Sequence, residues 1–135
     1  MTAGYSGTPL VKKLGIKPGY TIAILNPPED YHQTLGDLPE DVTYVNDLSQ
    51  SLDFIHFFTK DRAELEAEFL NLKAALKPAG MLWISWPKKA SKIATDLDEN
   101  IIRNIGLTNG LVDVKVAAID AVWSGLKFVY RLEDR

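Results

Sequence analysis

With 135 residues, 46% of them hydrophobic and 24% charged, the chain has the size and composition of one globular domain with a genuine core. Its formal net charge of −3 argues against a dedicated nucleic-acid-binding protein, because neutralising phosphates normally requires a basic face. The absence of cysteine excludes disulfides, thiolate nucleophiles and cysteine-ligated metals, and the two distant histidines give no metal motif.

Three elements are predicted in the first third of the chain. Thr8 is expected to cap a short helix that has Pro9 in its first turn and that stops at Gly15. Residues 20–25 form an apolar run without strict alternation, which predicts a first strand buried on both faces, as in a parallel sheet. One or two helical turns are expected around residues 31–35, within an acidic, proline-bearing segment.

Three apolar runs predict further strands in the middle of the chain. Residues 42–45 are expected to form a short second strand, and residues 52–58 a stronger one in the centre of the sheet. Residues 81–86 predict a third buried strand after the intervening helix.

The helix between the last two of these strands is predicted over residues 61–76. Asp61 and Glu64 have the spacing of a capping box at its start, and Pro78 and Gly80 are expected to end it. Its apolar stripe consists of Leu65, Phe69, Leu72 and Leu76. This spacing is typical of a helix that packs one face against a sheet.

The last third of the chain predicts a helix and a hairpin. Thr95 is expected to cap the helix, with Asp98 three residues on, and Gly106 to close it. Residues 112–119 begin with valines alternating with charged residues, the pattern of a strand with one wetter face. Residues 125–132 follow after a short loop, so the last two strands are predicted to form an antiparallel hairpin.

The order of these elements predicts an α/β fold. It is a Rossmann-like, mostly parallel sheet flanked by helices, with a C-terminal antiparallel hairpin. No repeat or linker is visible, so residues 1–135 are expected to form a single domain. No signal segment or membrane-length apolar stretch is visible either, which predicts a cytoplasmic protein without a membrane partner; a homo-oligomer is left open.

Three segments of the chain, together with this order of elements, resemble class I methyltransferases. Residues 15–19 read Gly-Ile-Lys-Pro-Gly and resemble the approach to that family's first strand. Residues 76–83 read Leu-Lys-Pro-Ala-Gly-Met-Leu-Trp and are similar to the approach to its fifth strand, and residues 105–107 are similar to part of its last helix. The resemblance implies a truncated methyltransferase-like fold and, as one alternative, S-adenosylmethionine-dependent methyl transfer.

A small bacterial family of proteins of unknown function is also similar to the chain. The shared segments are Tyr-Ser-Gly-Thr-Pro-Leu at residues 5–10, Trp-Pro-Lys-Lys-Ala-Ser at 86–91, Gly-Leu-Val-Asp-Val-Lys-Val at 110–116, and Trp-Ser-Gly-Leu-Lys-Phe-Val at 123–129. This resemblance runs along the chain and implies a shared fold. It implies no activity.

The exit of the first strand is the most informative candidate site. Cofactor-binding α/β proteins place small residues here so that backbone N–H groups can approach the ligand. Asn26 is instead followed by Pro27 and Pro28, which supply no N–H donor. One interpretation is a rigid turn. The other is a rigid lip that presents Asn26 and Glu29 to a ligand other than S-adenosylmethionine, which this exit disfavours.

Asp47 points towards the alternative function. It lies about 20 residues beyond the first-strand exit, where an acidic residue would bind ribose hydroxyls. The competing interpretation is a solvated turn residue.

A lysine-rich loop after the third buried strand is the candidate anion site. Lys88, Lys89 and Ser91 follow Trp86 and precede the helix expected near Thr95, whose N-terminus would favour a phosphate or carboxylate. A solvated lysine face is the competing interpretation. An anionic small molecule is therefore the expected partner.

Trp123 and Ser124 are placed in the loop of the predicted hairpin. Trp123 is expected to plug the sheet edge or to form part of a partner surface. His56, inside a predicted strand, is interpreted as a hydrogen-bonded core residue rather than a general base.

No convincing acid–base or nucleophile set is visible in the sequence. The prediction is therefore a non-catalytic or small-ligand-binding module on a degenerate methyltransferase-like scaffold. A divergent S-adenosylmethionine-dependent methyltransferase is the alternative.

Overall fold

The computed structural model describes residues 8–135. Of the segment shared with the small bacterial family at residues 5–10, the first three positions lie outside the described residues. The helices are α1 (Leu10–Leu14), α2 (Tyr31–Leu35), α3 (Arg62–Ala75) and α4 (Glu99–Thr108). The strands are β1 (Thr21–Leu25), β2 (Thr43–Val45), β3 (Leu52–Phe58), β4 (Leu76–Pro87), β5 (Leu111–Ala118) and β6 (Trp123–Tyr130).

The six strands form one sheet in the order β2-β1-β3-β4-β6-β5. The first four are mutually parallel, whereas β6 runs antiparallel to both β4 and β5. The predicted α/β fold, the central position of β3 and the terminal hairpin are thereby confirmed. β2 pairs with one side of β1, and the chain then returns to place β3 on the other side of β1. The boundary between β1 and β3 is therefore a topological switch point.

Helices cover both faces of the sheet. The first face packs against α3 and α4, through residues such as Phe69 and Ile102 that are fully buried against Ile55 and Leu82. The second face packs against α1 and α2, which bury Leu14 against Trp83 and its neighbours. None of the helices in residues 8–135 is long and apolar enough to cross a bilayer.

The predicted start of α1 is shifted by one residue. Pro9, not Thr8, occupies the cap position, and it makes no side-chain cap bond. The stop at Gly15 is confirmed, because this residue adopts the left-handed conformation with φ of 89°.

Both predicted boundaries of α3 need correction. The Asp61 side chain makes no cap bond, and the Arg62 N–H donates instead to the Asp96 carboxylate at 2.7 Å. The helix ends at Ala75 and β4 begins at once, so Pro78 lies inside the strand, in its irregular first part. Proline disfavours helical conformation in the residue before it, which moves the helix end upstream.

The predicted cap and stop of α4 are also wrong. Asp98 caps the helix by accepting from the Ile101 N–H at 2.8 Å, while the Thr95 hydroxyl donates to the Lys60 carbonyl. Gly106 lies inside the helix rather than at its end. A Cβ there would lie 2.0 Å from the Phe128 ring, so close packing on the sheet explains this glycine.

The hairpin differs from its predicted pattern in two respects. Val114 and Val116 were expected on the drier side of β5, yet they are 54% and 46% exposed. The register shifts between Asp113 and Lys115, and this bulge in an edge strand breaks the alternation. Trp123, predicted in the loop, is the first residue of β6, and Ser124 follows it in the strand.

Candidate functional site

The carboxyl ends of β1 and β3 meet at Asn26. This residue adopts a φ of 56°, the left-handed conformation that glycine usually supplies, and so turns the chain sharply out of β1. Its side-chain amide donates to the Phe58 carbonyl at 3.3 Å. Asn26 therefore ties together the two strands of the switch point, where ligands of open α/β sheets bind.

A cavity of about 500 Å³, here called the cleft, opens beside this turn. It is lined by Leu25, Asn26, Asp47, Leu48, Phe57, Glu64, Ala67 and Glu68. Three of these residues are acidic and none is basic. The electrostatics of the cleft consequently favour cations and hydroxyl groups over phosphates.

Asp47 stands at the edge of the cleft, just beyond β2. Its carboxylate accepts from the Ser49 hydroxyl at 2.6 Å and from the Ser49 N–H at 3.0 Å. These hydrogen bonds lower the pKa of Asp47, so that the exposed carboxylate is charged at neutral pH. Asp47 and Asn26 line the same cavity.

A second cavity of about 360 Å³ adjoins the cleft and shares Asn26 and Glu64 with it. Its other walls are Pro27, Pro28, Phe58, Thr59, Lys60, Asp61 and Trp123. The Thr59 hydroxyl donates to the Glu64 carboxylate at 2.5 Å and fixes it between the two cavities. Within residues 8–135, no group of three histidine or acidic side chains is placed to hold a metal ion.

Trp123 is partly buried at the rim of this second cavity. It packs edge to face against Phe58, with ring centroids 5.2 Å apart. The contact supports the interpretation of Trp123 as a plug of the second-face core, with one side open to the cavity. Ser124 instead pairs with Trp86 inside the sheet and does not line either cavity.

Beneath the Phe58 ring lies a fully buried polar network. The Tyr31 hydroxyl and the Ser85 hydroxyl contact the two ring nitrogens of His56 at 2.8 and 2.7 Å. Burial lowers the pKa of His56 to about 3 and raises the pKa of Tyr31 far above its usual value. The core interpretation of His56 is confirmed, and His56 is neutral and closed off from the cleft.

The lysine-rich loop contributes no residue to either cavity. The Lys88 ammonium donates to the Asp120 carbonyl at 2.7 Å, and the Ser91 hydroxyl donates to the Lys88 carbonyl. α4 begins only at Glu99, so the expected position of the loop at a helix N-terminus is wrong. Lys89 is exposed to solvent.

Two other predicted residues lie outside the cleft. Trp86 is 7% exposed and belongs to the first-face core. Glu29 is exposed and lines neither cavity.

Sequence reasoning missed two residues of the cleft, Glu64 and Glu68, which α3 directs towards it. Only the position of α3 directly after the β3 end could have indicated them.

Comparison with known proteins supports the fold. No protein-family model and no curated protein matches the chain. Among solved structures, magnesium protoporphyrin IX methyltransferase from Synechocystis, with bound S-adenosylhomocysteine, matches at a TM-score of 0.60 and 16% identity, over 90% of this chain and 78% of that chain. A SAM-dependent methyltransferase from Aquifex aeolicus matches at 0.58 and 16%, over 88% and 86%.

A third structure, a DhpI–SAH complex, matches at a TM-score of 0.64 and 10% identity, over 92% of this chain and 83% of that chain. The chain has a shortened methyltransferase-like fold. At these identities the likeness concerns the fold alone.

Proposed function

We propose that the protein is a small-ligand-binding module on a methyltransferase-like scaffold, with its ligand in the cleft. The observation that carries this proposal is the convergence of Asp47, Asn26 and Glu64 on one cavity at the switch point. An acidic residue beyond the second strand of such a sheet is placed to accept hydrogen bonds from vicinal hydroxyls. We expect a ligand that is rich in hydroxyl groups and has no phosphate, such as a nucleoside.

The exit of β1 fits S-adenosylmethionine only in part. Asp47 suits the ribose of this cofactor, but the carboxylate of its methionine portion needs hydrogen-bond donors. Pro27 and Pro28 have no N–H. The second cavity beside them is lined by two carboxylates, Glu64 and Asp61, and one ammonium, Lys60, so a carboxylate meets net repulsion there. S-adenosylmethionine is for this reason the less favoured ligand.

The non-catalytic part of the proposal rests on the surroundings of the cleft. His56, on the strand β3 that ends at the cleft, is buried and neutral, with both ring nitrogens engaged by Tyr31 and Ser85. Proton transfer in the cleft would depend on carboxylates such as Glu64, which already accepts from Thr59. Binding without turnover is the simplest role for this set of side chains.

A divergent S-adenosylmethionine-dependent methyltransferase is the second candidate. It is favoured by the position of Asp47 in the cleft and by the methyltransferase neighbours, two of which hold S-adenosylhomocysteine. The second cavity, which shares Asn26 and Glu64 with the cleft, would then receive the methyl acceptor.

Isothermal titration with adenosine, S-adenosylhomocysteine, S-adenosylmethionine and ATP tests the proposal. We expect saturable binding of adenosine and weaker binding of ATP, because the acidic walls oppose its phosphates. Replacing Asp47→Asn should raise the Kd for adenosine about tenfold, since hydrogen bonds to a charged group contribute about 1.5–3 kcal/mol. Asp37→Asn, at an exposed position outside the cleft, is the matched control and should leave the Kd unchanged.

The two candidate functions predict different contributions of the methionine portion of S-adenosylmethionine to the binding affinity. If S-adenosylmethionine or S-adenosylhomocysteine binds saturably at micromolar concentration and far more tightly than adenosine, the second candidate replaces the first. Mass-spectrometric detection of S-adenosylhomocysteine formed from S-adenosylmethionine would show turnover. Absence of binding by every nucleoside, or binding that Asp47→Asn leaves intact, contradicts both.

A further inference from the structure

Four lysines gather on the second face of the sheet, where the end of α1 meets the β5–β6 hairpin. We call Lys13, Lys17, Lys115 and Lys127 the lysine patch. Lys115 and Lys127 lie directly opposite each other in the antiparallel pair, so their side chains leave the sheet on the same face. The Lys115 ammonium donates to the Lys13 carbonyl at 3.2 Å, and the Lys13 ammonium to the Ala118 carbonyl at 3.1 Å.

Lys127 is the central member of the patch. It is half-buried beside β4, opposite Trp83, whose indole N–H donates to the Leu14 carbonyl at the end of α1. Burial lowers the pKa of Lys127, and the positive charges of Lys115 and Lys17 lower it further. Lys127 therefore lies close enough to Lys115 and Lys17 for their charges to repel.

No carboxylate forms an ion pair with a patch lysine within the described part of the chain. The ion pairs of residues 8–135 involve Arg62, Lys77 and Arg103, and none involves a patch lysine. Residues 1–7 contain no aspartate or glutamate. The chain as a whole has more acidic than basic residues, 18 against 15, yet within residues 8–135 none of the acidic ones forms an ion pair with the patch. Like charges directly opposite each other in a sheet destabilise it, so the pair of Lys115 and Lys127 has an energetic cost.

A multiply charged anion would remove this repulsion. Each ammonium has three N–H donors, and the patch lysines that bond to a carbonyl use one of them, which leaves donors for a ligand. The patch lysines belong to α1, the loop that follows it and two neighbouring strands, an arrangement that suits a compact, multiply charged group. We propose that the lysine patch binds a phosphate or pyrophosphate group of a small soluble molecule.

The patch is too small for the usual polyanionic macromolecules. Nucleic-acid binding normally uses a longer basic stripe, and the whole chain carries a net charge of −3. The patch differs from the lysine-rich loop in that two of its lysines, Lys115 and Lys127, lie directly opposite each other in paired strands. That loop offers a matched control within the same chain.

Isothermal titration with sodium pyrophosphate at constant ionic strength tests the proposal on the full chain. Lys127→Met keeps the apolar stem but removes the charge, and should weaken pyrophosphate binding about tenfold, the effect of one charge-assisted hydrogen bond. Lys127→Arg keeps the charge and should bind within about threefold of the unmodified protein. Lys115→Gln, at an exposed position, provides a second variant in case Lys127→Met folds poorly.

Thermal denaturation without pyrophosphate separates binding from a structural role. If Lys115 serves binding and is repelled by its neighbours, Lys115→Gln should leave the Tm unchanged or raise it. Lys89→Met, in the lysine-rich loop, should retain pyrophosphate binding. Retained binding in both patch variants, or an equal loss in Lys89→Met, would overturn the proposal.

Two further measurements fix the source of the phosphoryl group. Co-sedimentation with phosphatidylglycerol vesicles and gel-shift with a short DNA duplex should both be negative at physiological salt. Binding to either of them without saturable pyrophosphate binding would also overturn the proposal.

Discussion

The two faces of the sheet are held by different kinds of interaction. On the first face, α3 and α4 span 14 and 10 residues and pack through apolar side chains such as Phe69 and Ile102. On the second face, α1 and α2 have five residues each, and hydrogen bonds supplement the apolar contacts. Tyr31 anchors α2 to His56, and Trp83 donates to α1 at the Leu14 carbonyl.

The difference teaches how short helices are fixed to a sheet. A helix of five residues buries too little apolar area to be held firmly by packing alone, so directional polar contacts add to it. The difference also bears on the second cavity. α2 directly follows Pro27 and Pro28, which line this cavity, so the hydrogen bond between Tyr31 and His56 helps to hold that segment in place. The hairpin is covered by α4 on the first face, whereas its second face carries the lysine patch.

The largest effect is expected from overpacking the first face. Gly106→Ala places a Cβ 2.0 Å from the ring of Phe128, which is itself fully buried. We expect a loss of about 3 kcal/mol in the free energy of unfolding, measured by urea denaturation, because a packed core has no room to shift. The higher helix propensity of alanine offsets only about 1 kcal/mol.

A double variant checks the cause of this loss. In a Phe128→Leu background, which removes the ring, Gly106→Ala should cost much less than in the unmodified protein. Equal costs in the two backgrounds would show that the ring contact is not responsible.

Acid should weaken the second face through His56. Burial in the folded state lowers its pKa from 6.5 to about 3. Between these values the unfolded chain binds a proton that the folded chain does not, so stability is complete above about pH 6.5 and falls as the pH drops. The loss from this residue between pH 7 and pH 5 is about 2 kcal/mol.

Urea denaturation at the two pH values measures this term. His56→Gln is less stable throughout but should lose less stability between pH 7 and pH 5 than the unmodified protein. The exposed His32→Gln should keep the full pH dependence. An unchanged pH dependence in His56→Gln would contradict the role assigned to His56.

Tyr31→Phe tests the anchoring of α2 without removing the aromatic ring. We expect a loss of about 1.5 kcal/mol, because one ring nitrogen of the buried His56 loses its partner. Amide hydrogen exchange in α2 should accelerate more than in α3. Tyr44→Phe, at an exposed position of an edge strand, should change stability by less than about 0.5 kcal/mol. Uniform acceleration across both helices would argue against a local anchor.

The smallest effect concerns helix caps on the first face. Asp98→Ala should cost about 1 kcal/mol, because its carboxylate accepts from the Ile101 N–H at the start of α4. Asp61→Ala should be close to neutral, since the Asp61 side chain makes no cap bond. A larger cost for Asp61→Ala than for Asp98→Ala, measured by urea denaturation, would restore the capping box predicted from the sequence.

Much of the fold could be predicted because local patterns carry it. β3 and α2 lie where the sequence placed them, since an apolar run and a short helical segment are local signals. The errors concern contacts between distant segments. Asp96 caps α3 from the loop before α4, and the packing of Phe128 explains Gly106. The candidate site was predicted at Asn26 and Asp47 by the strand-end rule, whereas Glu64 and Glu68 belong to it through the position of α3.

By itself, the sequence determined the order of strands and helices and the loss of N–H donors at the Asn26-Pro27-Pro28 exit. These properties are local, because hydrophobic periodicity and proline chemistry act within a few residues. Only the tertiary structure decided which charges meet. It separated an acidic cleft from a patch with Lys115 opposite Lys127, because strand pairing and helix packing join segments that are distant in sequence.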